Sequence, residues 1–165
     1  MTLHLWRFGT IILVALLQGL AFAHFLERPA KLQYDGALYV KLQQTLYVQW
    51  GPPNVGGMLE PAAILATVVL MFLIRKYRFG FWLTAAAAVA LLLAFPVVFF
   101  WLVAPANEVF LAAGPDKVPV NWMEMRQNWE TGHAIRFLLQ FVALALLVGT
   151  LILERHESKQ ISTDA

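Results

Sequence analysis

From Phe79 to Pro105 the chain carries no charged residue, and the only interruption that matters for helix geometry is Pro96. Three more apolar stretches, Phe8 to Phe25, Pro61 to Ile74 and Ala134 to Leu153, recur along the sequence. With 60% hydrophobic and only 13% charged residues, and a mean hydropathy of +0.66, the composition lies far from that of a soluble domain. Lipid is the solvent such segments require, and in lipid a chain must satisfy its backbone within helices or a closed barrel. Apolar stretches of this length indicate helices. The expected fold is an all-α membrane protein, a four-transmembrane-helix bundle formed as one domain over residues 1–153, with a polar tail at 154–165.

Crossing the hydrocarbon core takes ~20 apolar residues at a rise of ~1.5 Å each, and Pro61 to Ile74 falls short of that. The second span is expected to begin within Val55-Gly-Gly-Met-Leu-Glu60, which carries Glu60 below the headgroups. The alternative is a helix that starts inside the protein with Pro61 as its first residue. Pro96 is expected to kink the third span and free backbone carbonyls, and Ala85 to Ala88 to mark close helix packing. Arg7, the apolar run after it and Ala21-Phe22-Ala23 imitate a signal peptide, but Phe25 and Leu26 continue the run and favour an uncleaved helix. Four spans place both termini beside the dense basic loop Arg75-Lys76-Tyr77-Arg78, which favours a cytoplasmic location for them in a bacterial cytoplasmic membrane.

Cysteine is absent, which removes disulfides, thiol nucleophiles, Fe–S clusters and thiolate metal sites together. A net charge of only +2 on scattered Lys and Arg residues speaks against nucleic acid as a partner. The expected partners are the lipid bilayer and a hydrophobic small molecule, with no protein partner indicated.

Two loops separate the spans on the side away from the termini. Ala30 to Trp50 carries Leu38, Leu42 and Leu46 on one stripe, predicting an amphipathic helix lying in the interface, with Tyr39, Tyr47 and Trp50 nearby. The second, Ala106 to Gly132, turns at Gly114-Pro115-Asp116 and then starts a helix: Asn121 caps, Glu124 follows three residues on, and Val120 staples onto Met125.

That last helix carries the densest chemistry. Trp122, Arg126, Trp129, His133, Arg136 and Gln140 recur at spacings of four and three and share one face. Alternating helix directions bring His24 and Glu27, Glu60, Asn107 and Glu108, and Glu130 and His133 to the same end of the bundle. Polar groups at that depth are costly and usually functional. A neutral imidazole beside a carboxylate suits a general base, with Trp129, Trp122 and Arg126 as a stacking and cationic surface for a planar substrate. The second possibility is a dimetal site of iron or copper held by His24, Glu27, Glu60, Glu108, Glu130 and His133. The third is bis-histidine haem through His24 and His133. Structural roles compete with these. The aromatic residues can form an interfacial belt, and Arg126 and Arg136 can pair with Glu130 and Glu108. Gln18 can make an interhelical hydrogen bond.

His24-Phe-Leu-Glu27-Arg-Pro29, Asp35-Gly-Ala-Leu-Tyr to Gln43-Gln-Thr-Leu-Tyr47, Leu59-Glu60-Pro61, Pro105-Ala-Asn107-Glu108 and Trp129-Glu130-x-Gly132-His133-x-x-Arg136 resemble the family of small integral membrane proteins, largely of unknown function, named after the fungal anthrone oxygenases. These pieces span about residues 10–153, and the last is the most specific. The resemblance implies a four-helix membrane monooxygenase that converts an anthrone to an anthraquinone with molecular oxygen and needs no established organic cofactor. It also implies His133 and Trp129 as the reactive pair, with His24, Glu60, Asn107 and Arg136 shaping the site. The combined expectation is an oxidoreductase for a lipophilic aromatic, phenolic or quinone-like substrate, in a pocket at the outer-leaflet end of the bundle. His133, His24, Glu60 and Glu130 are its catalytic candidates, with His133 as general base and Glu60 or Glu130 orienting a histidine. Trp129, Trp122, Asn107, Arg126 and Arg136 are its substrate contacts, with Trp129 stacking and Arg126 or Arg136 stabilising an enolate. The alternative is a non-enzymatic protein that binds a lipid, a hydrophobic ligand or a partner.

Overall fold

The computed structural model describes residues 2–51, 53–114 and 117–163, with side chains described as far as Ile152. Four helices in it are long and apolar enough to cross a membrane: Thr2–Lys31, Val55–Leu73, Arg78–Ala112 and the segment Trp122–Ile152. The protein is a multi-pass helical membrane protein. We label its elements α1 (Thr2–Lys31), α2 (Gly36–Thr45), α3 (Val55–Leu73), α4 (Arg78–Leu92), α5 (Ala104–Ala112) and α6 (Trp122–Thr163), with a single 3₁₀ turn at Tyr47–Gln49. The spanning helices pack as a closed ring in which α1 touches α3, α3 touches α4, α4 touches α6 and α6 returns to α1.

The second span begins at Val55, so the earlier of the two expected starts is the observed one and Pro61 lies inside α3. Proline has no N–H to give the Gly57 carbonyl one turn back. Around Pro96 the third span widens into π-helical turns over Leu93–Val103 and continues as α5, which accommodates a ring that an α-helical turn would exclude.

Below the polar end, Val14, Leu17, Ala63, Leu70, Ile74, Ala87, Leu91, Ala143 and Leu147 form a dry core. Ala87 and Ala88 are buried, as the alanine run predicts. Gln18 is buried too, but its Oε1 has no hydrogen-bond partner among the described residues. A second cluster at the other end gathers Tyr39, Val40, Tyr47, Val103, Ala106, Phe110 and Trp129.

The helix expected in the first loop is α2, capped by the Asp35 side chain accepting from Leu38 N at 2.8 Å. Of its leucine stripe, Leu38 and Leu46 are exposed and Leu42 packs partly buried against the second cluster, while Tyr39, Val40 and Gln43 are buried against the bundle. Gln44 Nε2 ties α2 to the end of α5 by donating to the Phe110 and Ala113 carbonyls, both at 2.9 Å. The apolar edge left outward is the one that suits lipid. At the start of α6 the expected hydrophobic staple is absent, because Val120 is fully exposed and cannot pack on Met125. Of the expected turn at 114–116, Pro115 and Asp116 lie outside the described residues.

Candidate functional site

Where α1 ends and α6 begins, the bundle encloses an open cavity with about 670 Å³ of empty space including its mouth. α6 supplies one wall through Trp129, His133, Arg136 and Gln140, four members of the predicted face. Gly132 makes this wall possible, since a Cβ there would meet Val103 Cγ2 at 2.7 Å and Leu102 Cβ at 3.1 Å. α1 contributes His24, α3 contributes Gly57 and Glu60, the π-helical turns contribute Phe95 and Phe99, and α5 contributes Asn107. Tyr47 and Trp50, on the strap after α2, complete the lining. Gly56 is where the strap passes closest, because any Cβ at that position would collide with the Trp50 carbonyl.

Two histidines from opposite ends of the chain meet here. The rings of His24 and His133 lie 4.1 Å apart between centroids, and Trp129 packs 4.1 Å from His133 and edge-on to His24 at 5.0 Å. Trp50 and Tyr47 flank His24 at 5.0 and 5.2 Å. Arg136 Nη1 approaches His133 Nδ1 at 3.4 Å. Guanidinium groups only donate, so this contact assigns the Nδ1 lone pair to Arg136 and the proton to Nε2. His24 Nδ1 is buried with no hydrogen-bond partner among the described residues.

Arg136 is held from behind. It is buried and paired with Glu60, to which Gln140 Nε2 also donates at 3.4 Å. The pairing expected for Arg136, with Glu130 or Glu108, is therefore replaced by one with Glu60, and Glu60 orients the guanidinium rather than a histidine. Trp129 is fixed through its indole N–H, which donates to Asn107 Oδ1 at 2.8 Å.

A second layer lies just outside the cavity. Lys31, 1% exposed, places Nζ 3.2 Å from Glu130 and 3.8 Å from Glu27. The closer contact is an ion pair without hydrogen-bond alignment. The same ammonium sits over the Trp129 ring at 4.4 Å and the Tyr47 ring at 4.9 Å. Tyr39 donates to Glu130 at 3.0 Å and Tyr47 to Glu27 at 2.7 Å. Burial first, and then the neighbouring carboxylates, hold both phenols well above the usual tyrosine range.

The expected site residues divide accordingly. His24, Glu60, Asn107, Trp129, His133 and Arg136 converge on the cavity. Glu27 and Glu130 belong to the Lys31 layer, and Glu108 is exposed on α5. Trp122 and Arg126 sit beyond the cavity, where Arg126 donates to the Leu32 and Tyr34 carbonyls at 3.2 and 3.0 Å and stacks over Trp122. Arg126 thereby ties α6 to the turn between α1 and α2.

The proposed metal ligands also separate: among the described residues no three His, Asp or Glu side chains converge as a metal-binding group. Between Glu27 and Glu130 the cation is Lys31 itself. The His24 and His133 rings are in direct contact, 4.1 Å apart between centroids and tilted by 40°, so a porphyrin between them would require the two to move apart.

Lys31 was hidden from sequence reasoning because it reads as a loop charge, although its spacing of four from Glu27 and seven from His24 puts all three on one helix face. Tyr47 and Trp50 read as interfacial belt residues. No known protein family, no curated protein and no solved structure matches this chain.

Proposed function

We propose that this protein is a membrane-embedded oxidoreductase of the oxygenase type, acting on a lipophilic aromatic ketone, phenol or quinone-like molecule held in the cavity. The observation that carries this reading is the His24–His133 ring contact between aromatic walls, with an Arg136 guanidinium anchored by Glu60 beside it. Planar apolar walls suit a planar ring system, and a few placed polar groups set its orientation. The resemblance to the anthrone oxygenase family points the same way.

Within the pair the roles differ. The general-base role expected of His133 passes to His24, whose Nδ1 has no partner among the described residues, whereas His133, with Nδ1 turned to Arg136, presents a donor. A substrate with an acidic benzylic CH₂ beside an aryl ketone loses one proton to His24. The His133 N–H and Arg136 stabilise the enolate oxygen. The carbanion adds molecular oxygen, and the resulting peroxide regains the proton and expels water, leaving a new carbonyl. One substrate and one O₂ give one quinone and one water.

The test is oxygen uptake by purified protein with anthrone, alongside anaerobic exchange of the benzylic hydrogens with D₂O, which reads proton removal alone. His24→Ala is expected to abolish both, and His133→Ala to abolish uptake while reducing exchange. Folded variants that retain full uptake would overturn the mechanism and leave binding of a hydrophobic ligand as the function. We further propose that both termini are cytoplasmic in a bacterial cytoplasmic membrane, which opens the cavity toward the outer leaflet. In this cysteine-free chain, a cysteine introduced at Lys117 should react with an impermeant maleimide from outside, and one at Lys76 should not.

A further inference from the structure

Asn107 is the only side-chain amide that α5 contributes to the cavity lining. Its partner is unambiguous in kind. The Trp129 indole Nε1–H donates and cannot accept, so the amide atom 2.8 Å away must be the oxygen. That contact removes the usual freedom of an asparagine to present either end. With Oδ1 committed, the end left over is the Nδ2–H₂ donor. Asn107 is half-buried and makes no other hydrogen bond among the described residues.

The same logic applies to the wall that α6 supplies. Arg136 is turned by Glu60, and its guanidinium can only donate. The cavity therefore presents two fixed donors on different elements, an amide on α5 and a guanidinium on α6, with Phe95, Phe99, Trp50 and Trp129 supplying apolar faces. A ligand that satisfies both must carry acceptor oxygens and few donors. Hydrocarbons would leave the two donors unpaired, which a buried site penalises.

We propose that Asn107 is a specificity-determining residue that donates Nδ2–H to a carbonyl oxygen of a planar aromatic ketone or quinone, and that Trp129 is the positioning residue that fixes which end of the amide faces the ligand. This names the recognition element of the cavity already proposed as the site, and it rests on that reading for the ligand class. It does not depend on turnover.

The experiment compares 2,3-dimethyl-1,4-naphthoquinone with 2,3-dimethylnaphthalene, which share ring and methyl positions and differ in the two carbonyls. Affinities are measured by equilibrium dialysis in dodecyl maltoside, a detergent without ester carbonyls. Asn107→Asp keeps an acceptor for the Trp129 indole but loses the donor, and alkaline buffer keeps it ionised. Trp129→Phe keeps an aromatic ring but frees the amide.

The quinone is expected to bind Asn107→Asp about tenfold more weakly than wild type, and Trp129→Phe severalfold more weakly. The hydrocarbon should bind wild type and Asn107→Asp alike, which also reports that this variant is folded. Trp129→Phe, which alters an apolar wall, is read by its ratio of quinone to hydrocarbon affinity, expected to fall severalfold below that of wild type. Equal losses for both ligands would overturn the proposal by making Asn107 a packing residue, and no loss for the quinone would overturn it directly. Added phosphatidylcholine should not compete at concentrations that leave the hydrocarbon bound. Competition that disappears in Asn107→Asp would assign the donor to a lipid ester and overturn the aromatic-ketone assignment. If anthrone oxidation fails while the quinone difference persists, the oxygenase reading falls and this one stands.

Discussion

The two ends of the bundle are built from the same four helices, yet they differ in how far buried polar side chains depend on other helices. At the end containing α3's C-terminus, Thr67 and Thr150 bond only carbonyls of their own helix, Ala63 and Leu147. Thr10 bonds Trp6 O on its own helix at 2.9 Å with a longer contact of 3.5 Å to Ala66 O on α3, so no buried ion pair is needed there to satisfy them. At the cavity end, Glu60, Glu130, Asn107 and Arg136 find their partners on other helices. A self-satisfied hydroxyl costs the fold almost nothing and carries no information about its neighbours. A charge that depends on a different helix is expensive to place and commits the tertiary structure around it. Cross-helix dependence therefore separates candidate function from packing more sharply than burial does.

The strongest way to break this contrast is at the Glu60–Arg136 pair. Arg136→Leu strands a buried carboxylate in apolar surroundings and is expected to destabilise the protein by about 3–5 kcal/mol. Glu60→Gln/Arg136→Gln, which removes both charges, should cost markedly less than the single change. Unfolding in a graded mixture of dodecyl maltoside and SDS, followed by tryptophan fluorescence, measures both variants. If the double variant is as damaged as the single one, the pair is not the interdependent unit described.

A smaller effect is expected one layer out. Tyr39 and Tyr47 are held un-ionised by burial and by Glu130 and Glu27 respectively. A group whose folded pKa is raised contributes stability that is complete below its unfolded value, ~10 for tyrosine, and is lost as pH rises through the folded value. Alkaline titration followed by phenolate absorbance should thus show both phenols resisting ionisation beyond pH ~10 and appearing with unfolding. Tyr39→Phe and Tyr47→Phe should each delete one late phenol at a cost of about 1–2 kcal/mol. Early ionisation of either would mean that water reaches the Lys31 layer.

Much of this architecture was legible because hydropathy and helical periodicity act locally. The four spans, the early start of α3, the helix in the first loop and the 129–133–136–140 face all follow from spacing alone. Depth matching also brought His24, Glu60, Asn107 and His133 to one end. What spacing does not encode is which partner each charge chooses. Glu60 took Arg136, Glu130 took Lys31, and Arg126 took backbone carbonyls of the α1–α2 turn, because those choices depend on helix rotation and on the path of the strap. Lys31 is the clearest case: its position in the sequence marks it as a solvated loop charge, and it is Glu130 and Trp129 on α6 and Tyr47 on the strap that surround it. The staple at Val120 failed for the converse reason, since a local motif forms only when the chain before the helix approaches the helix face.

The smallest expected effect is the one that tests the premise of the comparison. Thr67 is completely buried in α3, and its hydroxyl donates at 2.7 Å to Ala63 O, a carbonyl that also receives the regular helix bond. Replacing it with valine keeps the shape, removes the hydroxyl and leaves no other group unpaired, so stability should change by less than about 0.5 kcal/mol. Asn107→Leu, also near-isosteric, removes a polar group on which the Trp129 indole depends and should cost more. Measured in the same unfolding series, near-equality of the two would show that burial alone governs polar groups in this bundle. A clear separation would show that the governing quantity is whether the partner lies on the same helix or on another.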